Sequence, residues 1–397
     1  MLLSGKTVVL GVSGSIAAYK IPTLARLLKK QGCNVQVLMT QNATQFINPI
    51  TFESLTGNKC LIDTFDRNFQ YSVEHVALAK RANLVMIAPA SANIIAKMAH
   101  GIADDMLSTT VLACRCKKLV APAMNTNMFE NPITQDNLNT LRHYGFGIIE
   151  PAVGMLACKD VGAGKLPKEE LLYNHILQEI LYKKDLAGKK VLITAGPTCE
   201  PVDPVRIYTN RSSGKMGYSL AKECSLRGAD VTLVTGKTAL EPWPFVKVVP
   251  IETAQQMFEE VTSRAPEMDI IIKAAAVADY RPKTVADEKI KKSDGEFVLE
   301  FERTQDILKY LGEHKPDGQF LCGFSMETEN MLENSRSKLS KKNADMIVAN
   351  NLKVQGAGFA GDTNVVTMIT KDSVKELELM SKDQVAHHIV DEIVSRI

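Results

Sequence analysis

The stretch GKTVVLGVSGSIAAYKIPTLARLLKKQGCNVQVLMT, residues 5–40, carries the pattern that decides the fold class. A short β-rich apolar run leads into a loop of Gly and Ser, then into an amphipathic helical pattern, and then into a second apolar strand at Val35–Met39. This order predicts a β–loop–α–β unit. Such units build parallel sheets, and ligands bind at the carboxyl ends of their strands.

The same pattern recurs in residues 188–235, which open with GKKVLITAGPT and close with the apolar strand Val231–Val234. Two openings in a chain of 397 residues favour two domains over one large domain. We therefore expect an α/β protein of two domains, each a mainly parallel sheet flanked by helices, flavodoxin-like or Rossmann-like. The polar run KKDLAGKK before the strand at Val191 places the boundary at about residue 186, which gives domains of residues 1–186 and 187–397.

The overall composition excludes several classes of protein. Hydrophobic residues make up 45% and the net charge is +2, so the chain is ordinary globular material without a basic surface for nucleic acid. No apolar run approaches the roughly 18–20 residues of a membrane span, and no signal peptide is visible, so we expect a cytoplasmic protein. The eight cysteines form no C-x-x-C motif, which argues against a structural zinc site.

Polar groups follow three predicted strands of the first half. The turn in VLGVSGSIAAYK presents backbone N–H groups at a helix start, which suits a phosphate, although such turns also occur for steric reasons. The turn is not G-x-G-x-x-G, so the dinucleotide fingerprint fails. Ser91 and Asn93 follow the strand Leu84–Ala88, and Thr40 ends the second strand. These residues either cap helices only, or also form a mononucleotide site at one sheet edge. The candidate cofactor residues are Gly11, Ser13, Gly14, Ser15, Thr40, Ser91 and Asn93.

Three further residues of the first half could carry chemistry. His75 lies in HVALAK, where a lone histidine is more often a satisfied structural residue. Asn125 follows a predicted strand in PAMNTNMF, and it could bind a carboxylate or make a turn. Cys158 lies in the Gly-rich segment MLACKDVGAGKL, which indicates either a mobile flap that carries a thiol or a plain surface loop.

The motifs GVSGSIAAYK, H-V-x-L-A, APASAN, PAMN and LAC…G-x-G-K-L, in this order, resemble the phosphopantothenoylcysteine decarboxylase family of flavin-containing enzymes. The resemblance covers about residues 5–166. It implies bound FMN with its phosphate at Gly11–Ser15. It further implies that His75 is the base of the oxidative step, that Asn125 holds the substrate carboxylate, and that Cys158 returns a proton. Lys159 stands where the family usually has Gly, and Lys165 where Arg is common.

The chemistry of such a decarboxylase explains the residue types. Loss of CO2 from an aminothiol acid leaves a carbanion without an electron sink. Oxidation of the C–S centre by the flavin creates a thioaldehyde into which the carboxylate can leave, and reduction of the enethiol then restores the cofactor. The cofactor carries the difficult step, while the protein positions the substrate and moves protons.

The second half has basic groups suited to a nucleotide. Its SSGKMG segment is not a Walker A motif, which disfavours a generic P-loop ATPase. A long loop carries Asp279 and the lysines of EKIKK, a run that could also be a solvated surface. Lys338 and Lys342 lie one helical turn apart after Phe324. Without a Walker A motif, a triphosphate needs point charges of this kind.

The motifs AGPT-x-E-x-x-DPVR, SSGKMG, AAVADYRP, EKIKK and GF-x-x-ET resemble the phosphopantothenate–cysteine ligase family over about residues 188–370. The ligase is fused behind the decarboxylase in bacterial coenzyme A biosynthesis, as the two halves are arranged here. The resemblance implies CTP as activator, with Mg²⁺, and an acyl-cytidylate that the cysteine amine attacks. The substrates would be 4′-phosphopantothenate, cysteine and CTP, and we expect a homo-oligomer.

The resemblance also assigns residues of the ligase half. Asn210 would orient the acyl-cytidylate, and Lys289 would stabilise charge as it forms. The residues expected to hold the nucleotide are Asp279, Lys289, Thr304, Gln305, Asp306, Ile307, Phe324, Lys338 and Lys342. The Thr304–Ile307 turn reads TQDI where the family commonly has NPDI.

Two other classes of protein fit the sequence less well. A dinucleotide oxidoreductase should carry G-x-G-x-x-G with an acidic residue about 20 positions on, and neither half does. A regulatory flavin-fold protein could keep the phosphate-binding turn, but it would have no reason to keep His75, Asn125 and Cys158 together.

Overall fold

The structure, a computed structural model, describes residues 1–65, 74–157, 159–291, 297–327, 331–351 and 361–397. It consists of two compact units, Met1–Tyr182 and Lys183–Ile397. The sequence predicted a boundary at about residue 186, within the polar run that follows Tyr182.

The segment just after Tyr182 belongs to the second unit because it is anchored there. Leu186 is fully buried in that unit's core, and its N–H donates to the Arg227 carbonyl at 3.0 Å. The Arg227 guanidinium donates to both carboxylate oxygens of Asp185, from Nε at 2.8 Å and from Nη2 at 2.6 Å. The polar run therefore begins the second unit rather than acting as a loose linker.

The first unit is built around a parallel sheet with the strand order β2-β1-β3-β4-β5. Its strands are β1 (Thr7–Val12), β2 (Asn34–Met39), β3 (Leu84–Ala90), β4 (Lys117–Pro122), β5 (Gly147–Ile148), β6 (Ala152–Met155) and β7 (Val161–Lys165). Its α-helices are α1 (Ile21–Lys30), α2 (Pro49–Thr56), α3 (Glu74–Arg81), α4 (Ala92–His100), α5 (Met106–Ala113), α6 (Thr126–Glu130), α7 (Pro132–His143) and α8 (Glu169–Ile180). The order 2-1-3-4-5 is that of flavodoxin-like folds.

The residue pattern explains these elements. All residues of β3 are buried, as expected for a central parallel strand that is covered by helices on both faces. Helix α1 buries Ile21, Leu24, Ala25 and Leu28, which share one helical face, and has a proline in its first turn. Strands β6 and β7 form a separate antiparallel hairpin, which includes the predicted flap.

The second unit contains a mixed sheet in the order β12-β11-β8-β13-β16-β17-β19-β20. Its strands are β8 (Lys190–Ala195), β9 (Cys199–Pro201), β10 (Ile207–Thr209), β11 (Asp230–Thr235), β12 (Lys247–Pro250), β13 (Ile270–Lys273), β14 (Tyr280–Pro282), β15 (Phe301–Arg303), β16 (Phe320–Glu327), β17 (Met346–Asn351), β18 (Thr363–Asn364), β19 (Val366–Thr370), β20 (Val374–Glu376) and β21 (Met380–Ser381). Its α-helices are α9 (Lys215–Leu226), α10 (Ala254–Arg264), α11 (Ile307–Glu313), α12 (Met331–Lys341) and α13 (Lys382–Val394).

Six strands of this sheet, from β12 to β17, are parallel, and β19 and β20 are added antiparallel. Alternation along β8 sends Val191 and Ile193 to one core and Leu192 to the other, so both faces are covered. The predicted fold class, two α/β domains with mainly parallel sheets, is confirmed. No helix in the described ranges is long and apolar enough to cross a membrane.

Candidate active sites

A cleft of about 710 Å³ lies at the carboxyl edge of the five-stranded sheet. It is bounded by the segments that follow β1, β3 and β4, and the strand order reverses between β1 and β3. Ligands of open α/β sheets bind at such a reversal of strand order. The lining residues are Gly14, Ser15, Ile16, Ala17, Tyr19, Lys20, Ser91, Ala92, Ala123, Met124, Asn125, Met128, Met155, Leu156, Ala157, Gly164, Lys165 and Leu166.

The turn after β1 is held in place by Ser13. The buried Ser13 hydroxyl donates to the Pro89 carbonyl at 2.7 Å and accepts from the Ser91 N–H at 2.8 Å. It therefore ties the ends of β1 and β3 together. A Cβ on Gly14 would come within 2.7 Å of the Asn42 side chain, so the backbone approaches its neighbour closely at this turn.

Gly11 lies below the turn, inside β1. A Cβ at this position would come within 2.5 Å of the Leu107 side chain, so a larger residue would require that side chain to shift. Gly11 does not line the cleft, whereas Gly14 does.

The other polar residues at this edge cap short helices. Ser15 accepts from Ala17 N–H at 3.4 Å, Ser91 from Ile94 N–H at 3.5 Å, and Thr40 from Ala43 N–H at 3.2 Å. Ser15 and Ser91 also line the cleft, so each of them both caps a helix and borders the cleft. Thr40 does not line it, and Asn93 is exposed near the start of α4.

Asn125 faces the flap hairpin. Its carbonyl oxygen Oδ1 accepts from Asn127 N–H at 2.9 Å, which caps α6, and its Nδ2 donates to the Asp160 carboxylate at 2.8 Å. Asp160 belongs to the hairpin tip, where its carbonyl accepts from Leu156 N–H at 2.8 Å. In this arrangement the Asn125 amide binds a carboxylate of the chain itself, and its predicted contact with a substrate carboxylate stays a prediction.

The tip of the hairpin keeps the backbone conformation that glycine favours. Lys159 has a φ of 70°, in the left-handed region that few residues other than glycine adopt. Cys158, beside it, lies outside the described residues. His75 lies half-buried in the first turn of α3 and is not among the residues that line the cleft.

The second unit has a cleft of about 350 Å³ at the carboxyl edge of its sheet, where the order reverses between β8 and β13. It is lined by the start of α9, the segment after β13, the end of β16, and single residues of other elements. The lining residues are Asn210, Ser212, Ser213, Gly214, Lys215, Met216, Gly217, Lys273, Ala274, Ala275, Ala276, Val277, Asp279, Phe324, Ser325, Met326, Lys338, Asn350, Asn364 and Lys382.

The SSGKMG segment forms the amino terminus of α9. Gly214 is the N-cap with a φ of 78°, and no side chain caps the helix. A Cβ on Gly217 would come within 2.5 Å of the Ala195 side chain, so this glycine lets the helix pack closely on β8. The first N–H groups of this helix and its dipole favour an anion in the cleft.

Four lysines line this cleft. Lys215 forms an ion pair with Asp362 at 2.6 Å, and Lys338 donates to the Ser325 hydroxyl at 3.5 Å. Lys382, at the start of α13, is only 6% exposed, and burial, together with the charge of Lys215, lowers the pKa of its ammonium. The fourth is Lys273. Of these four lysines, only Lys338 was predicted from the sequence to bind the nucleotide.

The missed lysines differ in the signal they offered. Lys273 ends the apolar run IIIK at a strand carboxyl end, and the rule that ligands bind there could have identified it. Lys382 lies far along the chain, and nothing near it in the sequence indicates that it meets Lys215.

Asn210, Asp279, Phe324 and Lys338, all predicted, lie together in the cleft. The Asn210 amide donates to the carbonyls of Ala276 at 3.1 Å and Val277 at 3.2 Å. It therefore also holds the segment that follows β13.

The predicted turn Thr304–Ile307 lies beside Asp279. The Thr304 N–H donates to the Asp279 carbonyl at 3.0 Å. Asp306 caps α11 by accepting from Lys309 N–H at 2.9 Å, and it pairs with Lys342. Gln305 is exposed, whereas the Ile307 side chain is buried in the core. None of Thr304, Gln305, Asp306, Ile307 and Lys342 is among the residues that line the cleft.

Lys289 is exposed on the loop after β14 and does not line the cleft. Its neighbour Ile290 is anchored: the Ile290 N–H donates to the Asp203 carboxylate at 3.2 Å, and Arg206 donates to the Ile290 carbonyl at 3.1 Å. The DPVR motif, which contains Asp203 and Arg206, thus holds the loop that carries Lys289. Among the residues that the structure describes, no group of three or more His, Cys, Asp or Glu side chains is placed to hold a metal ion.

Comparison with known proteins gives matches for both units. The family described as Flavoprotein matches residues 2–181, and the family described as DNA/pantothenate metabolism flavoprotein C-terminal domain matches residues 186–397. The chain is 46% identical over 400 residues to the coenzyme A biosynthesis bifunctional protein CoaBC of Bacillus subtilis (strain 168), covering 99% of this chain and 98% of the relative. It is 40% identical over 399 residues to CoaBC of Escherichia coli (strain K12), and the match covers 100% of this chain and 98% of the relative.

A solved crystal structure of the C-terminal domain of a CoaBC protein is 48% identical, with a TM-score of 0.47, and covers 54% of this chain and 97% of that one. The assignment rests on the sequence relatives, which are similar over nearly their full length. The chain therefore belongs to the CoaBC family of bifunctional coenzyme A biosynthesis enzymes, whose N-terminal half is a flavoprotein decarboxylase and whose C-terminal half is a ligase.

Proposed function

We propose that the C-terminal half joins 4′-phosphopantothenate to cysteine at the expense of CTP, and that the N-terminal half decarboxylates the product to 4′-phosphopantetheine with FMN. One observation carries this proposal. Each unit has a cleft at the strand-order reversal of its own sheet, and the polar groups of the two clefts differ as the two reactions require.

The first cleft suits a flavin mononucleotide. Its volume, its methionine-rich wall and the close turn at Gly14 fit an apolar ring system with one phosphate. The hydroxyls of Ser15 and Ser91 and the first turn after β1 are the groups available to the phosphate. When bound, FMN supplies a reversible two-electron oxidation of the substrate.

The chain's own residues would then position the substrate and move protons. Asn125 would bind the substrate carboxylate in place of Asp160, because both ligands need the same N–H donor. His75 would act as base in the oxidative step, and Cys158 would return a proton to the decarboxylated product.

The visible absorption spectrum of the purified protein tests the cofactor. We expect the bands of a bound flavin in the full chain, and we expect Cys158→Ser to keep them while an oxidised enethiol-type product accumulates. A hydroxyl is a far weaker acid than a thiol, so it cannot replace Cys158 as the proton donor. A folded but colourless protein, or normal yields of 4′-phosphopantetheine from the variant, would contradict the assignment.

The second cleft suits a nucleoside triphosphate. Its four lysines and the uncapped start of α9 offer positive charge without a Walker A motif. In the proposed reaction, the phosphopantothenate carboxylate attacks the α-phosphate of CTP and releases pyrophosphate. The cysteine amine then displaces CMP. Mg²⁺ is expected to arrive with the triphosphate.

Product analysis with labelled nucleotides tests this half. CTP should yield CMP and pyrophosphate, with amide formation only when both 4′-phosphopantothenate and cysteine are present. ATP serves as the matched comparison nucleotide. Equal activity with ATP, or release of a nucleoside diphosphate, would refute the nucleotide or the acyl-cytidylate route.

A further inference from the structure

Lys273 is the last residue of β13, beside the strand-order reversal. Its backbone neighbours in the sheet are Thr194 of β8 and Gly323 of β16. Strand alternation puts Lys273 on the same face as Ile271, which packs in the core that contains α10 and α11 residues. The side chain also lines the ligase cleft.

Within the ranges that the structure describes, the ammonium of Lys273 has no partner of the kind that neighbouring lysines have. Lys215 pairs with Asp362, and Lys342 pairs with Asp306. Between Lys273 and the other residues in the described part of the chain, the structure shows no hydrogen bond and no ion pair. Lys273 is half-buried and lines the cleft, and removing an ammonium from water without a compensating partner is costly, so an anion bound in the cleft would stabilise it.

The charges around Lys273 also favour an anion. Burial lowers the pKa of its ammonium, Asp306 and Asp279 act to raise it, and Lys338 and Lys342 act to lower it. These groups face Lys273 from the start of α11, from the segment after β13, and from α12 and its end. Together with Lys273, the region therefore holds three ammonium groups and two carboxylates. Because Lys342 and Asp306 form an ion pair with each other, one positive charge remains in excess.

We propose that Lys273 binds the triphosphate of the activating nucleotide in the ligase half. The proposal rests on the proposed function, in which this cleft takes CTP. A lysine is a compact charge that suits a phosphate oxygen, and a hydrogen bond to a charged partner is stronger than a neutral one. Lys273 would be a cation of the nucleotide site to which the resemblance assigned no role.

The test is calorimetric titration of the full-length protein with cytidine, CMP and CTP in the presence of Mg²⁺. Lys273→Met keeps the unbranched shape of the side chain, without its terminal nitrogen, and removes its charge, whereas Lys273→Arg keeps the charge. Lys247→Met is the matched control, because Lys247 is an exposed lysine of β12 that pairs with Asp230 at 3.0 Å. All variants are first compared with the wild type in urea unfolding.

We expect Lys273→Met to weaken CTP binding about ten- to a hundredfold, as for the loss of a charged hydrogen bond. The loss should be smaller for CMP and absent for cytidine. Lys273→Arg should retain most of the affinity, and Lys247→Met all of it. If Lys273→Met binds CTP as tightly as the wild type, or loses cytidine equally, the proposal is overturned.

The pH dependence gives a second readout that a packing role would not change. CTP affinity of the wild type should fall as pH rises through the lowered pKa of Lys273, because only the ammonium binds phosphate. Lys273→Met should lack this component. A wild type that binds no CTP would overturn the proposed function itself, whereas a normal wild type with an unaffected Lys273→Met overturns only the role of Lys273.

Discussion

The two clefts occupy the same place in two similar sheets, yet they differ in charge. The first is lined by two lysines and a row of methionines, and a hairpin whose tip contacts Asn125 borders it. The second is lined by four lysines and lies at an uncapped helix start. Under the proposed function, the same topology binds an apolar cofactor with a single phosphate in one unit and a polyanionic substrate in the other. The difference lies in the residues at the strand ends.

The connection after the first strand of each sheet shows how the difference arises. In the first unit the chain passes from β1 through Ser13–Ser15 directly into the 3₁₀ turn Ile16–Lys20. In the second, the hairpin of β9 and β10 is inserted between β8 and α9. This insertion brings Asn210 and the DPVR motif to the cleft and to the Lys289 loop, so the longer connection supplies ligase-specific groups.

The largest expected effect comes from placing a negative charge in the first cleft. Asn125→Asp would set a carboxylate against that of the substrate, and two such charges about 4 Å apart repel by about 4 kcal/mol near a protein surface. Decarboxylation should fall about a thousandfold while flavin absorption and ligase activity persist. Asn127→Asp, the same change on an exposed neighbour, should be nearly silent in the same assays. Equal losses in both variants would remove the special role of Asn125.

Two charge-changing substitutions in the second half should each impair a different step of the proposed ligase reaction: one the formation of the acyl-cytidylate, the other its transfer to cysteine. Lys289→Gln should slow acyl-cytidylate formation by on the order of a hundredfold, since a neutral amide cannot stabilise developing phosphate charge. Asn210→Asp should still form the intermediate but transfer it poorly, because a carboxylate repels the adjacent phosphate. The measurement is a quench with labelled CTP, with and without cysteine.

Lys283→Gln is the control for that experiment, because Lys283 is exposed and pairs with Glu300, the residue before β15, at 3.3 Å. Unreacted CTP should accumulate with Lys289→Gln and trapped intermediate with Asn210→Asp. If the two variants behave alike, the division of labour is wrong.

Independence of the two clefts can be tested by cutting the chain. Fragments 1–182 and 183–397 should each fold, the first with flavin. A ligase fragment that begins at residue 187 loses the buried Leu186 and the Asp185 partner of Arg227, and its free energy of unfolding should fall by more than about 3 kcal/mol. Urea unfolding compares it with fragment 184–397, which lacks only the exposed Lys183. Equal stability of the two fragments would show that the anchor contributes nothing.

The smallest effect concerns the hairpin tip. A lysine in the left-handed conformation of Lys159 costs about 1 kcal/mol, and Lys159→Gly removes this cost. The glycine also increases the conformational entropy of the unfolded state, which opposes the gain. The free energy of unfolding should therefore rise by no more than about 1 kcal/mol. Thermal unfolding of fragment 1–182 with and without the substitution measures this change in stability. Lys117→Gly, in the extended strand β4, should instead destabilise. A loss of stability in Lys159→Gly would mean that the lysine side chain itself holds the tip.

By itself, the sequence determined the two β–loop–α–β openings, the α/β class and the existence of two domains. Apolar alternation and helical spacing are local properties, and local spacing decides which residues point to a core. The order of the motifs also predicted that Asn125 can bind a carboxylate and that Asn210, Asp279, Phe324 and Lys338 serve one nucleotide. Their presence in one cleft is compatible with those roles, which stay predictions.

Only the tertiary structure decided which polar groups share a site. It showed that the Ser13 hydroxyl joins two strand ends, that Gly11 packs against the Leu107 side chain, and that Lys289 is not among the residues that line the cleft. It also brought Lys382 beside Lys215 and placed Lys273 in the wall of the ligase cleft. These outcomes depend on strand order and on contacts between residues far apart in the chain. No local pattern encodes them, because a polar side chain looks the same in sequence whether it caps a helix or meets a ligand.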